Sequence, residues 1–174
     1  HAYYSPAPNR LYHNNGDGTF TKVLGEVVAT DSEPSSAAAW ADHDRDGDLD
    51  LFVANVNNHN NALYTNNGNG NAWIQIRLTG TDSNRSAIGA KIRLKAVIGG
   101  RPMWQFREIE AHNGFFAQSD LTAHFGLGDA ATVDSIRVEW PCGPNQILTN
   151  IASGQRLEIT EPEKSPTLLQ AMSA

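Results

Sequence analysis

Short stretches in which apolar and polar residues alternate are the feature that most limits the folds open to this chain. Successive side chains of a β-strand point to opposite faces, so strict alternation predicts a strand with one buried face and one solvated face. Turn-forming residues separate these stretches, and helical periodicity is nearly absent. The alternating stretches lie at residues 74–78, 91–96, 136–140 and 157–159, and the short helical candidates at 35–39 and 167–172. The sequence therefore predicts an all-β fold.

A repeated turn sequence marks the first part of the chain. Leu11–Gly18 (LYHNNGDG) recurs as Leu63–Gly70 (LYTNNGNG), a period of about 50 residues that is typical of β-propeller blades. Asn and Gly tolerate positive φ, so each copy predicts a tight hairpin turn. A single blade cannot close a ring and leaves its edge strands unpaired. The chain is thus predicted to be the end of a larger propeller, or a blade that something else completes.

Five aspartates lie within nine residues, in the segment DHDRDGDLD that begins at Asp42. Calcium prefers roughly six to eight oxygen ligands. The odd positions of the segment offer such oxygens, and Gly47 permits the sharp reversal that turns them inward. Without a cation the carboxylates would repel one another, so binding is also expected to order the loop. The predicted calcium ligands are Asp42, Asp44, Asp46, Asp48 (through its backbone carbonyl) and Asp50.

The EF-hand is the main competing interpretation of this loop. Its bidentate glutamate at position 12 would fall on Val53, and the run Leu51–Ala54 favours a strand where an EF-hand needs a helix. Magnesium prefers fewer protein ligands in a tighter octahedral arrangement. A solvated acidic turn without metal is the remaining alternative. The pattern favours a calcium site between two strands.

Composition excludes several classes of partner. The chain has 13 basic and 19 acidic residues, a net charge of −6, which argues against nucleic acid and anionic membranes, since both need clustered Lys and Arg. No apolar run is long enough to span a membrane. Cys142 is the single cysteine, so no disulfide forms within the chain. The chain begins at His1 without methionine, which predicts a processed or excised product and leaves a secreted origin open.

Signals of catalysis are weak. The six histidines have no paired metal spacing, and no nucleophile elbow or phosphate-binding loop occurs. Glu108, Glu110 and Asp120 are the candidates for a glycosidase pair, but Glu108 and Glu110 alternate with apolar Ile109 as on an ordinary solvent face. The chain is predicted not to be an enzyme, and a glycan-active enzyme is the less favoured alternative.

Two further features concern sugars. The tryptophans could stack on sugar rings where they are exposed, although the alternation around Trp140 favours a place in the core. Asn84-Arg85-Ser86 is a sequon for N-glycosylation in a polar turn, so Asn84 is the predicted glycosylation site in a glycosylating host.

Two segments of the chain resemble known families. Asn9–Phe20 and Ala39–Asn55 resemble the FG-GAP (VCBS) repeat of integrin-α-like propellers, and the resemblance implies calcium at the five aspartate positions named above. The later part is similar to the ASPIC/UnbV domain that follows such repeats in the cartilage acidic protein family. The motifs that carry the second resemblance are Ile88–Ile92, Arg107–Ile109, Asn113–Ser119, His124–Gly128 and Val138–Pro141.

These observations together predict four segments and a function. The segments are an extended arm (1–8), a calcium-binding FG-GAP-like repeat (9–71), an ASPIC/UnbV-like antiparallel β-sandwich or jelly-roll-like domain (72–160) and a tail (161–174). The predicted function is that of a secreted or cell-surface, calcium-binding structural or adhesion protein that could assemble with itself into a fibre by strand addition. The alternative is the C-terminal part of a larger propeller protein that binds extracellular protein or carbohydrate.

Overall fold

The computed structural model describes residues 7–112, 114 and 116–163, and its chain divides into two units. The first unit contains the chain up to Gly68 and the segment from His112 to Asp120. The second contains Asn69–Ala111 and the chain from Leu121 onwards. Strands dominate both units, which confirms the all-β prediction. Most of the predicted arm (1–6), most of the predicted tail (164–174) and the helical candidate at 167–172 lie outside the described residues.

The first unit consists of short strands and one helical turn. Its elements are β1 (Ala7–Pro8), β2 (Tyr12–Asn14), β3 (Phe20–Lys22), α1 (Val27–Thr30), β4 (Ser32–Glu33), β5 (Ser35–Ala41), β6 (Asp50–Asn55) and β7 (Ala62–Tyr64). β5, β6 and β7 form an antiparallel sheet in that order, β2 pairs with β3, and β1 pairs with β4.

The helix considered for residues 35–39 is wrong, because these residues belong to β5. Their alanines and serines pair with β6 in a register that joins Ala39 to Phe52 and Trp40 to Leu51. Alanine is the strongest helix former, but intrinsic propensity is small per residue, so a ladder of backbone hydrogen bonds to a neighbouring strand overrides it. The segment Val27–Thr30, which is helical, carried no comparable periodic signal.

The two copies of the repeated turn have different surroundings. Gly16 and Gly18 have positive φ in the turn between β2 and β3, which confirms a hairpin there. Gly68 and Gly70 also have positive φ, but the strands on either side of them pair in different sheets. The hairpin predicted for the second copy is therefore wrong. The glycines determine that the chain turns, whereas the neighbouring strands determine whether the two strands on either side of the turn pair with each other.

The free edge of β5 is partly satisfied within the first unit. The N–H of Asp120 donates to the carbonyl oxygen of Trp40 (3.1 Å), and the N–H of Trp40 donates to the hydroxyl of Ser119 (3.1 Å). A segment 79 residues further along the chain thus borders the sheet of β5, β6 and β7, which we call the blade-like sheet. The edge strand that the sequence predicts to be unpaired has backbone and side-chain partners at this point.

The second unit is a two-layer sandwich. Its strands are β8 (Ala72–Thr79), β9 (Lys91–Ile98), β10 (Arg101–Glu108), β11 (Ala123–Gly128), β12 (Thr132–Glu139), β13 (Gln146–Ala152) and β14 (Gln155–Thr160). One sheet has the order β10-β9-β12-β13 and the other β11-β8-β14. All pairs are antiparallel except β14 with β8, which run parallel. The four alternating stretches lie in β8, β9, β12 and β14, as predicted, and only Trp140 falls one residue beyond the end of β12.

The apolar members of the alternating stretches form much of the core of this sandwich, together with residues outside them such as Phe125 and Leu127. Ile74 and Ile76 of β8, Leu94 of β9 and Ile136 of β12 are completely buried, and the nearby Trp140 is 6% exposed, as its strand pattern predicts. In the described part of the first unit, the buried apolar side chains are those of Pro34, Leu51 and Val53. The two units thus differ sharply in how much apolar surface they bury.

A buried carboxylate closes one end of the sandwich. Glu161 is 2% exposed, and its Oε2 accepts hydrogen bonds from the N–H groups of Thr81 (2.8 Å) and Ser83 (2.7 Å). Its Oε1 accepts the Ser83 hydroxyl (2.8 Å), and the N–H of Cys142 donates to that hydroxyl oxygen (3.1 Å). Residue 143 is glycine where a Cβ would collide with the Glu161 carboxylate. Glu161, the first residue of the predicted tail, therefore holds two loops together.

Burial and hydrogen bonding act in opposite directions on the pKa of Glu161. Burial raises it, but the donors from Ser83 and Thr81 together outweigh burial, so the pKa lies below its ordinary value. A carboxyl group whose pKa is lower in the folded protein than in the unfolded chain stabilises the fold at pH values above the pKa that the group has in the unfolded chain. That stabilisation is lost as the pH falls through the folded pKa.

Replacing Glu161 by glutamine is expected to lower the free energy of unfolding by about 2 kcal/mol near neutral pH, because the neutral amide accepts weaker hydrogen bonds from buried donors. The difference from the wild type should shrink as the pH falls below about 4.5, where the unfolded carboxyl becomes protonated. Urea unfolding across this range measures it, with the exposed Glu163→Gln as the control. A difference independent of pH, or an equal loss in the control, would contradict the role of the charge.

Candidate metal site

The acidic loop connects the end of β5 to the start of β6. Strands therefore flank it on both sides, which confirms the strand–loop–strand prediction over the helix-flanked arrangement of an EF-hand. Gly47 has a φ of 100°, as expected for the sharp reversal, and Arg45 also adopts positive φ (66°). Two residues in the left-handed region within three positions coil the chain tightly and bring alternate side chains to one side.

Three of the predicted ligands converge. Asp42, Asp44 and Asp46 each offer a carboxylate oxygen, and these oxygens all lie within 4.8 Å of one another. Two oxygens bound to one calcium ion at about 2.3–2.6 Å can be at most about 5 Å apart, so this separation fits a shared ion. The cluster is of the kind that calcium prefers, since it contains only hard oxygen donors.

Backbone amides hold these carboxylates in place. The N–H of Gly47 donates to Asp42 Oδ2 (3.1 Å), and the N–H of Asp48 donates to Asp46 Oδ1 (2.9 Å). A longer bond joins the N–H of Asp46 to Asp44 Oδ1 (3.3 Å). Each bond uses part of one carboxylate, which has roughly four lone-pair positions in all. Acceptor capacity for a cation therefore remains on every member of the cluster.

The side chain of Asp48 is not among the three carboxylates that converge. It lies against Gly68, where the φ is 69° and where a Cβ would collide with the Asp48 carboxylate. This orientation is compatible with the predicted use of the Asp48 backbone carbonyl as the ligand. Glycine at position 68 of the second repeated turn thus lets that turn approach the acidic loop closely.

Asp50 is buried (2% exposed), and both of its carboxylate oxygens accept hydrogen bonds. Its Oδ2 accepts the N–H of His43 (2.9 Å) and lies 2.8 Å from the ring Nδ1 of the same residue. Its Oδ1 accepts the N–H of Asn66 (2.9 Å). Asp50 therefore fastens both the start of the acidic loop and the second repeated turn to β6. The sequence pattern identified Asp50 as a ligand but gave no sign of this structural role.

His43 is the second residue of the acidic loop. Its side chain is 41% exposed, but the ring folds back on Asp50. The hydrogen bond to Asp50 raises the pKa of His43 above its ordinary value. Burial raises the pKa of Asp50, but hydrogen bonds from the N–H groups of His43 and Asn66 and from the His43 ring outweigh it and lower the pKa overall. The pair thus favours an ionised Asp50.

Asn84, the predicted glycosylation site, lies in an exposed turn of the second unit. Its Oδ1 accepts the N–H of Ile88 (2.9 Å), and its Nδ2 donates to the carbonyl of the same residue (2.8 Å). The side chain therefore closes the turn, which contains Ala87 at a φ of 55°. Glycosylation there stays a prediction, as does the absence of catalysis.

Sequence comparison with known families gives two matches. A family model described as ASPIC and UnbV matches residues 80–166, and one described as an FG-GAP-like repeat matches residues 2–53, which include the acidic loop. Their order along the chain is the one that the sequence resemblance predicted, and this confirms it. A search of curated proteins gave no significant match.

Replacing Asp50 by asparagine is expected to destabilise the first unit by about 2 kcal/mol without any metal, because an amide cannot accept hydrogen bonds from His43 and Asn66 on both of its terminal atoms. Hydrogen exchange of residues 50–55 in chelator should become faster in this variant. The exposed Asp44→Asn is the control, since asparagine retains the single acceptor that Asp44 uses. Equal exchange rates in the two variants would contradict the structural role of Asp50.

Proposed function

The chain belongs to the ASPIC/UnbV family and carries an FG-GAP-like repeat ahead of that domain, and from this premise we propose that it is a non-catalytic, calcium-binding structural or adhesion protein of the cell exterior or cell surface. The observation that carries the calcium proposal is the convergence of Asp42, Asp44 and Asp46. The FG-GAP-like repeat supports the extracellular setting.

The five aspartates would divide the binding between them. Asp42, Asp44 and Asp46 would contribute side-chain oxygens, and Asp48 its backbone carbonyl. Asp50 would bind through the lone pairs that its hydrogen bonds leave free. A calcium ion supplies positive charge that offsets the repulsion between neighbouring carboxylates. Two contacts within the chain position the loop. Asp50 of β6 accepts hydrogen bonds from the loop and from the second repeated turn, and Gly68 leaves space for the Asp48 carboxylate beside that turn.

Calcium is expected to raise the melting temperature of the full chain. A ligand that binds the folded state at about a hundred times its dissociation constant adds about 2.7 kcal/mol. Scanning calorimetry in calcium, in magnesium and in chelator measures the shift. The double variant Asp44→Asn/Asp46→Asn should lose it, and Asp17→Asn, an exposed aspartate of the β2–β3 turn, should keep it. The same midpoint in calcium and chelator would refute the calcium site.

The first unit exposes large apolar side chains, which supports the proposal that another protein unit covers this surface. Phe20, Leu24 and Val27 are 64%, 77% and 67% exposed, and Phe52 and Leu63 form an exposed cross-strand pair on the blade-like sheet. An open groove of about 680 Å³ also lies in this unit, lined by Leu11, Val23, Val27, Trp40, Leu51 and Leu63 among others. Repeat units of this size do not bury their apolar faces alone and rely on stacked neighbours.

We therefore propose that this unit packs face to face on other blade-like units. These are further repeats of a longer propeller protein, or the same unit of a second copy. Apolar faces favour such stacking over strand addition, since the edge of β5 already has partners at Trp40. Assembly into a fibre by strand addition stays a prediction.

Self-association is expected to depend on the exposed sheet face. Leu63→Lys should lower the average mass of the chain in light scattering at high protein concentration with calcium, because a buried ammonium group opposes packing of that face. Thr21→Lys adds the same charge to an exposed polar position of the same unit and is the matched control. A strictly monomeric wild type would exclude the second copy and leave repeats of a longer chain as the partner.

A further inference from the structure

The four-stranded sheet of the second unit has an outer face with an unusual composition. Gln105 of β10 donates to the carbonyl of Gly126 in the other sheet, and Arg107 lies over the buried ring of Phe125. These odd-numbered residues face the core, so Trp104 and Phe106 face outward. Trp104 is 61% exposed and Phe106 43% exposed. The solvated face of an antiparallel sheet is ordinarily polar, and two adjacent exposed aromatics depart from that pattern.

Charged side chains surround these aromatics in a fixed register. Trp104 lies opposite Lys95 on β9, and Phe106 lies opposite Arg93. The guanidinium of Arg93 is 5.0 Å from the centre of the Phe106 ring, within the range of a cation–π contact. Arg93 in turn lies opposite Arg137 on β12. We call this surface, made of Trp104, Phe106, Arg93, Lys95, Arg137 and Glu139, the aromatic platform.

Glu139 joins the two arginines of the platform. Its Oε1 is 3.1 Å from Arg93 Nε and 3.4 Å from Arg137 Nε. Fixed guanidinium donors and carboxylate acceptors therefore lie side by side, next to the exposed rings. A sugar hydroxyl donates and accepts at once, so neighbouring hydroxyls match such a mixed array. The C–H face of a pyranose ring is apolar and fits the flat face of an exposed indole.

The charge balance of this face distinguishes sugar from other partners. Its cations, Lys91, Arg93, Lys95 and Arg137, are nearly matched by the anions Glu108, Asp134 and Glu139. Nucleic acid needs an excess of cations, and a carboxylate between two arginines repels phosphate. Aromatic residues and Arg are enriched in protein interfaces, but Lys, Glu and Asp are depleted at their centres, so the density of Lys, Glu and Asp on this face disfavours a protein partner. A near-neutral array of donors, acceptors and rings complements a polymer of hydroxyls.

We propose that the aromatic platform binds the chain of a pyranose polysaccharide, with Trp104 stacked on a sugar ring and the Arg93–Glu139–Arg137 group bonded to its hydroxyls. β10 is an edge strand of its sheet, so a long polymer can cross the platform without meeting the end of a pocket. This surface belongs to the ASPIC/UnbV part of the chain. It does not depend on the calcium proposed for the first unit.

The test uses the full chain and a panel of soluble polysaccharides. The neutral probes are hydroxyethylcellulose, xylan and galactomannan, the acidic probe is polygalacturonate, and a poly(dT) oligonucleotide represents nucleic acid. Retardation in affinity electrophoresis and titration calorimetry measure binding, both with calcium and with chelator. Binding to at least one polysaccharide in both conditions, with none to poly(dT), is expected. Failure with every polysaccharide, tighter binding of poly(dT), or loss of binding in chelator would overturn the proposal.

Variants then assign the binding to the platform. Trp104→Ala should weaken it about tenfold or more, whereas Trp104→Phe, which keeps a ring to stack, should retain most of it. Phe20→Ala removes an equally exposed aromatic from the first unit and should change nothing. Glu139→Gln, which weakens the grip on both arginines, should reduce binding without loss of the aromatic face. Melting curves check that each variant folds, and full binding by both Trp104→Ala and Glu139→Gln would overturn the assignment.

Discussion

The unequal burial of apolar side chains is the constraint on which the rest of this protein depends. The second unit closes a core between two sheets, where residues such as Ile74, Leu94 and Ile136 lose all contact with solvent. Among the described residues of the first unit, the buried apolar side chains are only those of Pro34, Leu51 and Val53. Since apolar burial is the main driving force of folding, the first unit must draw stability from other sources.

Two buried carboxylates, one in each unit, show how hydrogen-bonded polar groups add stability. Asp50 in the first unit and Glu161 in the second each accept backbone N–H groups from distant loops. In both cases burial raises the pKa, and the donors lower it further than burial raises it. A buried anion without such donors would be strongly destabilising. In the first unit, a calcium ion and a stacked neighbour would add what the small core lacks.

The sequence predicted the elements with strong local signals and missed those that depend on distant partners. Alternation identified four of the seven strands of the sandwich, and the aspartate spacing with Gly47 identified a loop between two strands in which Asp42, Asp44 and Asp46 converge. It did not predict that residues 35–39 form a strand, because alanine is compatible with either structure until a neighbour is present. Nor could it show that the second repeated turn closes no hairpin.

Residue chemistry alone determined that this chain is all-β and that its acidic loop suits a hard cation, because alternation and aspartate spacing act over a few positions. Only the tertiary structure decided that Asp50 is a buried anchor for His43 and Asn66, and that Ser119 and Asp120 border β5. It alone also placed Trp104 outward beside charged side chains. Such contacts join residues far apart in the chain, and no local pattern specifies which distant surfaces meet.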